Sequence, residues 1–230
     1  MPPVSSARQP EHRLVEWFRE GKGRRLAAEA QRQTIPELTR VFGHAGLFLR
    51  PFSDYPQELS GNMLASVLSL GRCGDTLRGQ WECRDDALPI GTASLSLVYS
   101  LFAVETSPSP GDLVQEIARV LKPEGVAMLV CLNGWSPSRL RWLGRPAGPG
   151  IARIAALARE AGLEPLRRQA LGPIWLGARG EATGNARARP RLLDPLCVAQ
   201  LLVLRRRDVP VTPIRTGAPV VGLRHGVSPG

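Results

Sequence analysis

Apolar positions along this chain follow a helical rhythm first and then gather into short continuous runs. Leu14, Trp17 and Phe18 share one helical face, which predicts a short amphipathic helix over 12–20. Gly21 and Gly23 interrupt it. A second helix is expected over about 24–42, with a kink or restart at Pro36, since proline lacks the N–H and Thr34 can cap the following segment. From there the rhythm changes. Gly46–Arg50 is a short apolar run stopped by Pro51, Ala65–Leu70 a second ended by Gly71, and Gln80–Cys83 a short third. Leu95–Leu101 (LSLVYSL) and Val126–Leu132 (VAMLVCL) are the clearest strands. Runs of this kind suit a parallel sheet covered on both faces.

Between the last two runs the helical rhythm returns. Ser109 and Pro110 mark a start, Leu113, Ile117, Val120 and Leu121 form one stripe, and Lys122-Pro123-Glu124-Gly125 turns into the next strand. A strand–helix–strand unit of this type places its two strands parallel. A further helix is expected at about 150–161, stopped by Gly162, followed by strands at Pro165–Leu171 and Val198–Arg205. Residues 177–192 read as a loop rich in arginine and glycine. Residues 1–10 and 216–230 read as loose tails around a single domain, 11–215.

Length and composition narrow the class. The chain has 230 residues, 43% of them hydrophobic, enough for one full α/β domain. No stretch has the apolar length of a spanning helix, and the first residues show no apolar signal region, so a cytoplasmic protein without a membrane span is expected. The four cysteines form no CxxC pair and stand far in sequence from the three histidines, so no metal site is expected. Cys131 and Cys197 lie in apolar runs and read as small buried thiols.

Charge adds one open question. Residues 1–138 carry 14 basic and 15 acidic side chains; residues 139–230 carry 16 basic, all arginine, and 5 acidic. The second half is either a basic face for nucleic acid, an anionic surface or an acidic partner, or a bias toward arginine with no site behind it. Aromatic residues are only 5% and do not interleave with these arginines, so RNA binding is the less favoured choice.

The segment from Asp85 to Asn133 carries the functional signal. Asp85-Asp86-Ala87-Leu88-Pro89-Ile90 precedes Ser94-Leu95-Ser96-Leu97-Val98-Tyr99; then come Glu105, Gln115-Glu116-Ile117-Ala118-Arg119-Val120-Leu121-Lys122-Pro123 and the strand that follows. This block resembles that of class I S-adenosylmethionine-dependent methyltransferases, of the methyltransferase type 11 kind. Asn133-Gly134-Trp135-Ser136 with Leu140-Arg141, and Pro210-Val211-Thr212-Pro213-Ile214-Arg215, resemble two further segments of a bacterial subgroup. The resemblance implies a doubly wound, mostly parallel, seven-stranded α/β sheet with extra N-terminal helices and a final antiparallel hairpin. It also implies S-adenosylmethionine as cofactor.

In doubly wound sheets the ligand lies across the carboxyl ends of the strands, at the switch point. The resemblance therefore puts cofactor contacts at Leu49, Arg50 and Pro51 after the first strand, at Asp85, Asp86 and Ala87, and at Leu101. A substrate pocket is expected at Glu105, Asn133 and Trp135. Plainer readings stand beside four of them: Asp86 and Asn133 as turn formers, Glu105 as a helix-entry or solvated carboxylate, Trp135 as a packing residue. No catalytic residue is assigned, because methyl transfer from a sulfonium needs mainly positioning.

The sequence also departs from the family. Leu49-Arg50-Pro51-Phe52-Ser53 stands where a glycine-rich loop is expected, and Arg50 would bring a cation toward a sulfonium. Gly71-Arg72-Cys73-Gly74-Asp75 offers a ribose-binding carboxylate only at Asp75, several residues late. Three readings follow: a methyltransferase acting on a small molecule, a non-catalytic relative that binds or scaffolds a protein partner, and a basic RNA-binding protein.

Overall fold

The computed structural model describes residues 10–137, 149–172 and 196–207. The Leu140-Arg141 and 210–215 segments, the 177–192 loop and both expected tails (apart from Pro10) lie outside these residues. Two helices, α1 (Pro10–Arg19) and α2 (Gly21–Leu38), precede β1 (Phe42–Arg50) and β2 (Met63–Cys73). Short strands β3 (Thr76–Arg78) and β4 (Glu82–Cys83) follow, then β5 (Leu95–Leu101), α3 (Pro110–Val120) and β6 (Leu121–Leu132). The described chain ends with α4 (Ile151–Glu160), β7 (Leu163–Leu171) and β8 (Ala199–Arg206).

All strands join one sheet in the order β4-β3-β2-β1-β5-β6-β8-β7. β2, β1, β5 and β6 run parallel, and β8 and β7 close the far side as antiparallel neighbours. This is the expected class I methyltransferase architecture, with eight strands instead of seven. The extra strand arises because the third strand is replaced by a tight hairpin. Gly74, at φ +59°, turns β2 straight back so that Cys73 faces Thr76, and β3 and β4 are two or three residues long. The second helix ends at Leu38, earlier than expected, and Pro36 sits inside its last turn.

The two faces are covered by different parts of the chain. Helices α3 and α4 bury Leu113, Val114, Ile117, Ile154 and Ala158 against Leu47, Leu49, Val98 and Leu129. On the other face α1 and α2 lay Trp17, Phe18, Leu26, Ala27 and Ala30 over Phe48, Tyr99, Leu101 and Val130. Parallel strands normally need a crossover with a helix. Here residues 51–62 connect β1 to β2 with turns alone. The missing helix has two effects: the 51–62 loop itself packs against the end of β2, at Gly71, and the first half of β2 keeps much exposed surface.

Candidate functional site

The order of strands reverses beside β1, whose neighbours β2 and β5 run parallel to it. In this architecture a ligand belongs at the carboxyl ends of these strands. Arg50 ends β1, Leu101 ends β5, and Arg72 stands one residue before the end of β2.

The loop after β1 is folded down onto the sheet. Arg50 is buried, and its Nη1 donates to the carbonyls of Ser53 at 2.6 Å and Tyr55 at 2.5 Å. Burial lowers its pKa, and Asp54 partly offsets this. Its Nε has no hydrogen-bond partner among the described residues. Gly71, the register partner of Arg50, makes the fold-down possible. A Cβ there would meet Ser53 Cα at 2.7 Å and the Phe52 carbonyl oxygen at 2.8 Å. Phe52 is buried, with its ring 5.5 Å from that of Tyr55 at right angles. Tyr55 donates to Gln31 Oε1 at 2.8 Å, and Gln31 Nε2 donates to the Glu58 carbonyl at 3.1 Å, so the loop is tied to α2.

Beside this loop lies a second buried guanidinium. Arg72 is wholly buried and binds Asp85 through both nitrogens, Nη1 to Oδ1 at 2.7 Å and Nη2 to Oδ2 at 2.9 Å. Ser107 donates a further hydrogen bond to Asp85 Oδ2. Asp86 points the other way, is largely exposed, and pairs with Arg84 at 2.8 Å. Asp85, Asp86, Asp75, Thr76, Arg84, Pro108 and Ser109 line an open cleft of about 420 Å³.

The remaining expected residues occupy three kinds of place. Leu49 and Leu101 are core residues of opposite faces, and Pro51 is buried under the folded loop. Ala87 is exposed. Glu105 is not a solvated carboxylate: it is buried, accepts the Leu132 N–H at 2.8 Å, and burial pushes its pKa up to about 8. Asn133 is buried too, its Nδ2 donating to the Cys197 carbonyl at 2.7 Å and its Oδ1 accepting from the Trp135 N–H. Trp135 is not a packing residue among the described residues, since it is mostly exposed. The structure thus brings Asp85 and Asp86 to one cleft and Glu105 and Asn133 to the end of β6, and it leaves Trp135 in the open. Sequence reasoning missed Arg72 and Ser107 as partners of Asp85.

Comparison with known proteins agrees with this architecture. The methyltransferase domain family matches residues 57–129. The malonyl-[acyl-carrier protein] O-methyltransferase of Enterobacter lignolyticus (strain SCF1) is 31% identical over 126 residues, 54% of this chain and 44% of that protein. The chain therefore spans less than half the length of this curated relative. A chain of the Haloferax volcanii complex between the Trm112 methyltransferase activator and a methyltransferase superposes with a TM-score of 0.57 at 16% identity, covering 85% of this chain and 98% of that one. Haemonchus contortus phosphoethanolamine N-methyltransferase 2, solved with phosphomonomethylethanolamine and S-adenosylhomocysteine, gives 0.53 at 14% identity, covering 90% and 61%. The family match covers residues 57–129, and the solved structures share a class I methyltransferase-like fold.

That family implies S-adenosylmethionine, and the residues present do not fit it. The loop that should approach the cofactor closely is held against β2 by Arg50. The end of β2, where two ribose hydroxyls need an acceptor, presents Arg72, a donor. Asp85 has both oxygens engaged by Arg72 and Ser107. A sulfonium placed here would also lie near the buried Arg50 guanidinium, whose hydrogen bonds go to carbonyls and not to a carboxylate, which is unfavourable at low dielectric. Among the described residues no group of His, Cys, Asp and Glu could hold a metal ion, and no helix is long and apolar enough to cross a membrane.

Proposed function

We propose that this chain is a non-catalytic methyltransferase-like module that works by binding a protein partner and not by transferring a methyl group. The observation that carries the reading is Arg72, seated where the cofactor's ribose acceptor is expected and bonded to Asp85 through both terminal nitrogens. A cofactor entering there has to break a buried, doubly hydrogen-bonded ion pair, and breaking such a pair from one side costs about 3–5 kcal/mol. The Arg50 loop adds to this cost. We take residues 11–215 as the module.

Isothermal titration with S-adenosylmethionine and with S-adenosylhomocysteine tests it directly. The expected result is no binding heat with either at millimolar ligand. Saturable binding in the micromolar range would overturn the reading. The competing reading, a methyltransferase acting on a small molecule, draws support from the open cleft beside Asp86 and would be restored by that outcome.

A further inference from the structure

The loss of the β1–β2 helix leaves β2 as an incomplete edge. Along β2, β3 reaches only Gly71, Arg72 and Cys73, so among the described residues no strand lies beside 63–70 on the outer side. The hairpin reaches no further than Ser69, whose carbonyl oxygen packs against Gly79. Alternate residues of 63–68 therefore turn main-chain N–H and C=O groups away from β1; among these the Leu64 N–H is held by Asn62 Oδ1 at 3.0 Å, which a strand pairing here would displace.

Proteins normally blunt such edges with charge, proline or a bulge. The segment Met63-Leu64-Ala65-Ser66-Val67-Leu68-Ser69 has no charged residue and no proline. Large apolar side chains also stand exposed at both of its ends. Phe42 and Met63, register partners on β1 and β2, are 71% and 48% exposed at the start; Trp81 is 45% exposed beside the Ser69 end.

We infer that this edge pairs with the same edge of a second copy, antiparallel across a two-fold axis at Ser66. Three features select a second copy as occupant. A neutral strand suffers no like-charge repulsion against itself. With Ser66 opposite Ser66, Leu64 of one copy faces Leu68 of the other and Ala65 faces Val67, so apolar side chains oppose apolar ones on both faces. The same axis carries Met63 of each copy to the Ser69 end of the other, where Trp81 is exposed; methionine sulfur against an aromatic ring is a favourable contact. The two ends of the edge are thus complementary to each other. The contact is a single short strand pair with two apolar flanks, smaller than a standard interface, so the dimer is weak and concentration-dependent. This pairing does not depend on whether cofactor binds, and it stands or falls separately from the titration.

Sedimentation equilibrium of the full chain across the micromolar to hundred-micromolar range tests it. The wild type should move from monomer to dimer. S66K, which sets two lysines face to face on the axis, and A65K, a second exposed position, should both remain monomeric with unchanged circular dichroism and melting temperature. The register has its own readout: S66C should form an inter-chain disulfide under mild oxidation, much faster than A65C, because only residue 66 meets itself. A wild type that stays monomeric at the highest concentration would overturn the inference. So would S66K dimerising as the wild type does, or A65C cross-linking as fast as S66C.

Discussion

The guanidinium of Arg72 and the carboxylate of Asp85 form a parallel two-bond pair, 2.7 and 2.9 Å, with Arg72 wholly buried and Asp85 nearly so. A pair of this kind repays its desolvation only while both partners are present. R72L leaves Asp85 buried with Ser107 as its remaining side-chain partner. The expected loss in urea unfolding is about 3–5 kcal/mol. R72L/D85L removes both charges and should recover much of that loss. If the double variant is no more stable than R72L alone, the pair is not what holds this end of the sheet.

Gly71 is required by closeness of backbone and not by its own torsion. Any side chain there drives a Cβ into Ser53 Cα and the Phe52 carbonyl, neither of which can move without lifting the loop. G71A should destabilise by about 1–3 kcal/mol and speed hydrogen exchange across residues 51–62. Gly150 has open space around its Cβ position, so G150A serves as the control and should be near neutral. Equal effects at the two positions would mean the loop is not pinned at Gly71.

Much of this was legible from the residues, and the legible part has a local cause. The Asp85–Asn133 block reads clearly because its polar residues hold neighbouring elements together. Glu116 accepts the Leu88 N–H at 2.8 Å, and Arg119 donates to the carbonyls of Leu88 and Ile90 at 3.0 and 2.9 Å. The motif's glutamate and arginine thus clamp 88–90 onto α3, and Arg119 holds the Glu116 carboxyl below its usual pKa. The strand positions followed from apolar runs, though β1, β2 and β6 extend beyond them at their amino ends because pairing, not hydropathy, sets a strand's length. Arg72 was not legible. An arginine between two glycines reads as a surface turn, and its partners lie 13 and more residues away, across a hairpin too short to show a period. The loss of the β1–β2 helix was visible only as missing glycines.

Tyr55 couples the folded loop to α2 through Gln31. The phenol donates to Gln31 Oε1, and burial pushes its pKa up to about 12, so it remains a donor at any ordinary pH. Y55F strands the Gln31 oxygen in a buried site and should cost about 1–3 kcal/mol. Removing both polar ends in Y55F/Q31L should cost less than the sum of the single changes. Strict additivity of the two unfolding free energies would show that the bond contributes nothing.

Glu105 makes stability depend on pH with a definite sign. Its carboxyl is buried at the end of β6 with one hydrogen bond, from the Leu132 N–H, and desolvation raises its pKa from 4.5 to about 8. The native state therefore keeps a proton that the unfolded chain releases. The contribution is fully present below about pH 4.5 and is lost as pH climbs through about 8, a change on the order of a few kcal/mol. Cys131 lies close by, and its thiol is also pushed up by burial and by Glu105, so it does not titrate within that window. E105Q keeps an acceptor for Leu132 and removes the titration. Urea midpoints of the wild type should fall steadily across this range, while those of E105Q should stay flatter at every step. If the two proteins lose stability in parallel from acid to neutral pH, Glu105 is ionised in the folded chain and its burial is offset by a partner.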